Sequence, residues 1–129
     1  MSYHFSKTLH GSWEEVRSKV ESALKEEGFG VLTEIDISAT FKKKLDVDFR
    51  PYVILGACNP NFAHQALQAE SHIGTMLPCN VIMQENKDGT IEVSAVDPLV
   101  SMQGVQNTSL AEVATQVQTK LKRVIENLG

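Results

Sequence analysis

The chain has 129 residues, of which 42% are hydrophobic and 22% are charged, and this balance excludes a disordered or fibrous protein. A chain of this length predicts one domain, residues 1–129, with a single hydrophobic core. The formal net charge of -4 comes from 16 acidic and 12 basic residues spread along the chain, so neither nucleic acid nor an anionic membrane is predicted as a partner.

The chain begins with a strand pattern and a helix pattern. Residues 3–9 alternate apolar and polar side chains, which predicts a first strand. A helix is predicted next, with Ser12 as its N-cap, Glu15 as the partner of Ser12 in a capping box, and Gly28 as its terminator.

A second strand and a short helix are predicted next. Residues 29–36 read as a strand with one face formed by Phe29, Val31, Thr33 and Ile35. Residues 38–46 could continue that strand, but the spacing of Phe41 and Leu45 among lysines favours a short amphipathic helix.

The apolar run at residues 52–58 predicts a central strand that leads directly into a helix. Asn59 is the predicted N-cap, because the following proline favours an extended conformation in the residue before it. Pro60 fits the first helical position, where its missing N–H has no cost. This helix is predicted to end before Gly74.

The last third predicts a hairpin and a long helix. Residues 80–85 and 90–97 flank the turn sequence at 86–89 and are typical of a β-hairpin. Ser109, with Glu112 as capping-box partner, is the predicted start of the C-terminal helix. The predicted order is β-α-β-(α)-β-α-β-β-α. It indicates an α+β fold with helices mainly on one face of a mixed or antiparallel sheet, and a ferredoxin-like arrangement is the alternative.

Two Cys-Asn doublets, Cys58-Asn59 and Cys79-Asn80, stand at predicted strand ends. Cys58 directly precedes a helix N-cap, where the partial positive charge of the helix terminus favours a thiolate. Packing of a small buried side chain explains the same position more simply. Cytoplasmic location is predicted because the first fifteen residues lack an apolar signal segment and no membrane span is present, and both cysteines are therefore expected as thiols.

A metal site has weak support in the sequence, since no C-x-x-C or H-x-x-x-H spacing is present. Its candidate ligands are Cys58, Cys79, His64 and His72, with Glu70 or Asp97. His64 lies off the apolar stripe of its predicted helix and is expected to be exposed.

The path of the chain between the doublets decides whether they can share a site. Joined by a simple crossover helix, two parallel strands would hold the cysteines at opposite sheet ends, roughly 20 Å apart. If residues 71–78 instead run back along the helix, both doublets reach the same end.

The stretches "GFGVLTEID", "FKKKLDVDFRPYVILGACNP", "GTMLPCNV" and "VSAVDP" closely resemble the bacterial and archaeal family of domain of unknown function 302. The resemblance extends over nearly the whole chain. It implies a compact α+β fold with a long C-terminal helix and a homodimer, and no activity. The motif positions of the family fall on Glu34, Cys58, Asn59, Pro60, Pro78, Cys79, Asn80, Asp97 and Pro98.

Three functions follow as hypotheses. The first is binding of a small polar ligand or anion, or of a soft metal such as Cu(I) or Zn(II), in a pocket formed by both Cys-Asn doublets, with Glu34 and Asp97 as further candidates. The second is a homodimeric interaction module without small-molecule chemistry. The third is a thiol-dependent or redox enzyme with Cys58 as nucleophile, Cys79 as resolving thiol, and Glu34 or Asp97 as acid-base group.

Overall fold

The computed structural model describes residues 2–129 and contains one five-stranded sheet. Its strands, in the spatial order β1-β5-β4-β3-β2, are β1 (His4–Leu9), β2 (Gly30–Asp36), β3 (Tyr52–Cys58), β4 (Cys79–Glu85) and β5 (Ile91–Val96). The helices are α1 (Trp13–Glu26), α2 (Ile37–Leu45), α3 (Pro60–Ala69), α4 (Pro98–Ser101) and α5 (Thr108–Glu126), and a 3-10 helix spans Ser71–Met76.

The predicted α+β class is confirmed, and the sheet is antiparallel throughout. Strands β2 to β5 follow one another as a meander, and β1 pairs with the free edge of β5. Three strands therefore separate β1 from β2. A ferredoxin-like sheet is built from split β-α-β units with one intervening strand, so the observed sheet is not ferredoxin-like. Among residues 2–129, none of the helices combines the length and apolar character that a membrane crossing requires.

Helices α1 and α5 pack on one face of the sheet and enclose the core. The facing strand residues Leu55, Val81 and Ala95 are fully buried in register with one another. The buried helix residues repeat at the spacing that predicted the stripes; they are Val16, Val20, Ala23 and Leu24 of α1 and Leu110, Val113, Ala114, Val117, Leu121, Val124 and Ile125 of α5. Complete burial of such a side chain contributes about 1.5–3 kcal/mol.

The helix termini confirm one predicted cap and correct another. The Ser12 hydroxyl accepts from the Glu15 N–H at 3.1 Å, and Gly28 takes the positive φ of 84° that ends α1. Ser109 is not the N-cap of α5. Asn107 is, because its side-chain Oδ1 atom accepts from the Leu110 N–H at 3.2 Å and the helix already begins at residue 108.

A bulge in β2 corrects the predicted face of that strand. Val31 pairs with Ala57 on the helix-covered face, and the register shifts before Thr33. Thr33 and Ile35 consequently lie on the opposite face, and Leu32, the extra residue of the bulge, is 68% exposed. A bulge adds one residue to a strand and so reverses the alternation beyond it.

The sheet face turned away from α1 and α5 is called here the open face. One row of opposed residues crosses it on all five strands and consists of Ile35, Ile54, Ile82, Ser94 and Ser6. The hydroxyls of Ser6 and Ser94 lie 2.7 Å apart. In the next row Gly56 allows a close approach, because a Cβ there would overlap Thr33 and lie 2.7 Å from Cγ of Pro78.

Candidate functional site

Both Cys-Asn doublets lie at the same end of the sheet. Strand β3 ends at Cys58 and β4 begins at Cys79, with Ala57 directly opposite Cys79 in the antiparallel register. Helix α3 leads the chain away from this end, and the 3-10 helix lies on the return path to it. Of the two chain paths considered above, the returning one is observed.

A cavity of about 300 Å3 occupies this end of the fold, between the sheet, α3 and α5, and is called here the end cavity. Its sheet wall includes Ala57, Cys58 and Cys79. Helix α3 contributes Phe62, Ala63 and Ala66, and helix α5 contributes Leu110, Val113, Ala114 and Val117. The walls are almost entirely apolar. Alanines from three elements leave the space, because their side chains are too short to meet across it.

The two thiols of the cavity wall differ in burial. Cys79 is buried, and this burial, together with the nearby Cys58, raises the pKa of the Cys79 thiol to about 11. Cys79 is therefore a neutral thiol at physiological pH. Cys58 is half-buried, and both cysteines are free.

Asn59 also lines the end cavity, but its side chain does not cap α3. The backbone has the extended conformation of an N-cap, and Pro60 occupies the first turn, as predicted. The side-chain amide instead donates to the Glu27 carbonyl at 3.2 Å. Asn59 therefore joins the end of α1 to the start of α3.

Asn80 and Glu34 lie away from the end cavity. Asn80 is exposed on the open face, opposite Gly56, since consecutive residues of a strand point to opposite faces. The Glu34 carboxylate is half-exposed and accepts from the Arg17 guanidinium at 2.8 Å. Neither residue belongs to the wall that contains the two thiols.

Asp97 is buried at the start of α4, with 7% of its surface exposed. Its carboxylate accepts from the Leu99 N–H at 3.0 Å and from the Gln118 amide at 3.1 and 3.2 Å. These bonds cap α4 and join it to α5. Asp97 does not line the end cavity, whereas the next residue, Pro98, does.

The two histidines that were candidate metal ligands lie on the surface of the protein. His64 is exposed, as expected, and the His72 side chain is 90% exposed, with its Nδ1 atom 3.4 Å from the Glu70 carboxylate. Within residues 2–129, no group of three or more His, Cys, Asp and Glu side chains could hold a metal ion.

Sequence reasoning missed the part of the wall that comes from α5 and from the β2 bulge. Ala114 is the small residue in a stripe of large ones, and this gap was the available signal. Leu32 also lines the cavity, but its position depends on a bulge that periodicity did not predict.

Comparisons with known proteins agree with this fold. The family model described as "Domain of unknown function DUF302" matches residues 5–128. The solved structure of an uncharacterized conserved protein DUF302 from Bacillus stearothermophilus is 26% identical, with a TM-score of 0.91 over 100% of both chains. No curated protein shows significant similarity to the chain.

Proposed function

The chain belongs to the family Domain of unknown function DUF302, and we propose that it binds a small, predominantly apolar molecule in the end cavity. The observation that carries this proposal is the cavity itself, about 300 Å3 with apolar walls at one end of the sheet. Small-molecule sites occupy about 300–1,000 Å3 and are lined mostly by apolar side chains.

The exposed apolar wall supports a ligand in this space. Leu32 and Leu67 line the end cavity and are 68% and 45% exposed, so a ligand that covers them removes apolar surface from water. A polar group buried against apolar walls without a hydrogen bond costs roughly 2–7 kcal/mol, whereas an apolar group gains by leaving water. The wall therefore favours an apolar ligand over the anion or polar molecule considered from the sequence.

The soft-metal and thiol-enzyme hypotheses have less support. Metal binding by both thiols and the attack of a resolving thiol each need Cys79 as a thiolate, and the pKa of about 11 keeps Cys79 protonated at neutral pH. Two thiols also fall short of the four ligands of a structural zinc site. Free thiols are consistent with the proposed cytoplasmic location.

Filling the cavity tests the binding proposal. In Ala114→Leu, three added carbon atoms enter the cavity while the helix propensity of α5 stays high. We expect the affinity for the neutral fluorescent probe N-phenyl-1-naphthylamine to fall at least about tenfold, because the probe loses contact area and must displace a packed side chain. Fluorescence titration measures the dissociation constant.

The matched control is Ala111→Leu, which adds the same atoms one turn earlier on the exposed side of α5. It is expected to bind the probe like the wild type. Absence of probe binding to the wild type, or equal affinities in both variants with folding intact, would contradict the proposal.

A homodimer formed through the open face is the second candidate function. Four apolar side chains on or beside this face are 36–64% exposed: Ile35, Leu45, Val47 and Phe49. Helix α2 has nine residues and buries none of them, although isolated helices shorter than about 12–15 residues are marginal in water. A second copy packed on the open face and α2 would supply the missing burial.

Charge and dimensions also suit a second copy of the chain. Lys42 already lies 3.3 Å from Asp46 and from Asp48 of its own chain. The neighbouring Lys43 and Lys44 are exposed, so a two-fold axis can bring them to the same acidic residues of a second copy. Five strands about 4.8 Å apart give a face roughly 20 Å wide, and α2 extends it toward the size of a standard interface.

A charge at Ile82, in the row of opposed residues that crosses the open face, tests the dimer. We expect wild-type protein to have a dimeric mass by light scattering at micromolar concentration, and Ile82→Arg to be monomeric because a buried unpaired charge opposes association. Thr8→Arg, at the exposed edge of the same face, should leave the dimer intact. A monomeric wild type across the micromolar range would exclude this interface.

A further inference from the structure

A polar groove adjoins the end cavity. Asn59 and Phe62 line both spaces, so the two share one wall. The remaining groove residues are mostly polar or charged and include Glu26, Glu27, His64 and Lys120. A molecule that extends out of the end cavity past Phe62 would therefore enter surroundings of the opposite chemical character.

Lys120 is the basic side chain of this groove. Its side chain is 29% exposed, and its Nζ atom lies 5.9 Å from the centre of the Phe62 ring. Its contact with Glu27 is long, at 3.8 Å to the Oε1 atom. Arg123 already donates to the same oxygen at 2.9 and 3.2 Å. An ammonium group has three donors, so Lys120 retains capacity to bind an anion.

We propose that the ligand of the end cavity is an amphiphile with an acidic head group, a class represented by medium-chain monocarboxylic acids. This inference rests on the proposed binding function and adds the chemistry of the head group. The apolar chain occupies the end cavity, and the carboxylate lies in the groove and accepts from the Lys120 ammonium. Charge-assisted hydrogen bonds of this kind are about twice as strong as neutral ones.

The stem of Lys120 and the ring of Phe62 favour this arrangement. Both present apolar surface beside the charged nitrogen, so an anion that binds there is partly removed from water. Attraction between opposite charges strengthens as the surroundings become less polar. The neutral alcohol of the same chain length lacks this interaction and should bind more weakly.

Displacement of N-phenyl-1-naphthylamine by decanoate and by 1-decanol, below their aggregation concentrations, tests the inference. We expect wild-type protein to bind decanoate about tenfold more tightly than decanol. Lys120→Met, which keeps most of the apolar stem, should lose this preference through weaker decanoate binding and leave decanol affinity unchanged. Lys122→Met, an exposed lysine two residues along α5, should behave like the wild type.

The possible outcomes distinguish the role of the acidic head group from apolar binding in the end cavity. Equal affinities of the wild type for decanoate and decanol, or failure of both to displace a bound probe, would overturn the acidic amphiphile and leave apolar binding standing. The same loss in Lys120→Met and Lys122→Met would overturn the specific role of Lys120. If the probe itself does not bind, the proposed function fails and the inference fails with it.

Discussion

Asp97→Ala is expected to lower the free energy of unfolding by about 3 kcal/mol, because several bonds to one buried carboxylate are lost together. The Leu99 N–H would lose its cap and the Gln118 amide would lose its acceptor in the interior. A capping bond alone contributes about 0.5–2 kcal/mol, and hydrogen bonds to a charged group about 1.5–3 kcal/mol. Urea unfolding of the wild type and the variant measures the difference.

Two comparisons test whether the loss of stability in Asp97→Ala comes from these hydrogen bonds. Gln118→Ala should be destabilised less than Asp97→Ala. The double variant should lose less stability than the two single variants lose in sum, because the Gln118 amide donates to the Asp97 carboxylate. Asp48→Ala, whose carboxylate is 94% exposed, should change stability by less than about 1 kcal/mol.

Probe binding distinguishes a structural role of Asp97 from a ligand-binding role. Folded Asp97→Ala protein should bind N-phenyl-1-naphthylamine within about threefold of the wild type, because Asp97 lies outside the wall of the end cavity. Loss of probe binding with little change in stability would instead assign Asp97 to the site.

Elements whose signals are local in sequence were predicted well. The start of α1 depends on Ser12 and Glu15, and its end depends on Gly28, all of which act within one or two helical turns. The hairpin of β4 and β5 similarly has Gly89, with φ of 86°, in its turn. Such signals act through the backbone of neighbouring residues and need no tertiary information.

Two predictions were wrong: the N-cap of α5, for which two residues compete, and the face of β2, where the strand register changes. Ser109 and Asn107 can each cap a helix, and the amide of Asn107 also donates to the Ala69 carbonyl at 2.9 Å, a tertiary contact invisible in the sequence. The bulge at Leu32 is likewise fixed by the pairing of β2 with β3. Period-two patterns predict a face only while the register is regular.

Three of the six candidate site residues lie together in the structure. Cys58, Asn59 and Cys79 line one cavity, because the chain returns to the end of the sheet from which α3 departs. Asn80 could have been separated from Cys79 by strand alternation, since neighbours in a strand face opposite sides. The α5 wall could not be assigned, because it depends on how a helix far along the chain packs against α3.

The Cys79 thiol gives stability a distinct dependence on pH. Its pKa rises from an ordinary value of 9.0 to about 11 in the folded protein, so the unfolded chain releases this proton at lower pH than the folded one. The stabilising contribution is complete below about pH 9 and is lost as the pH rises toward 11. Two pKa units correspond to about 2–3 kcal/mol.

We therefore expect wild-type protein to lose about 2 kcal/mol more stability than Cys79→Ala between about pH 8 and pH 11, measured by urea unfolding at each pH. The variant corrects for the effect of pH on the rest of the chain. Below about pH 8, iodoacetamide should modify the half-buried Cys58 well before the buried Cys79. Parallel pH curves for the two proteins, with rapid alkylation of native Cys79 at neutral pH, would indicate an accessible thiolate and favour thiol chemistry over apolar binding.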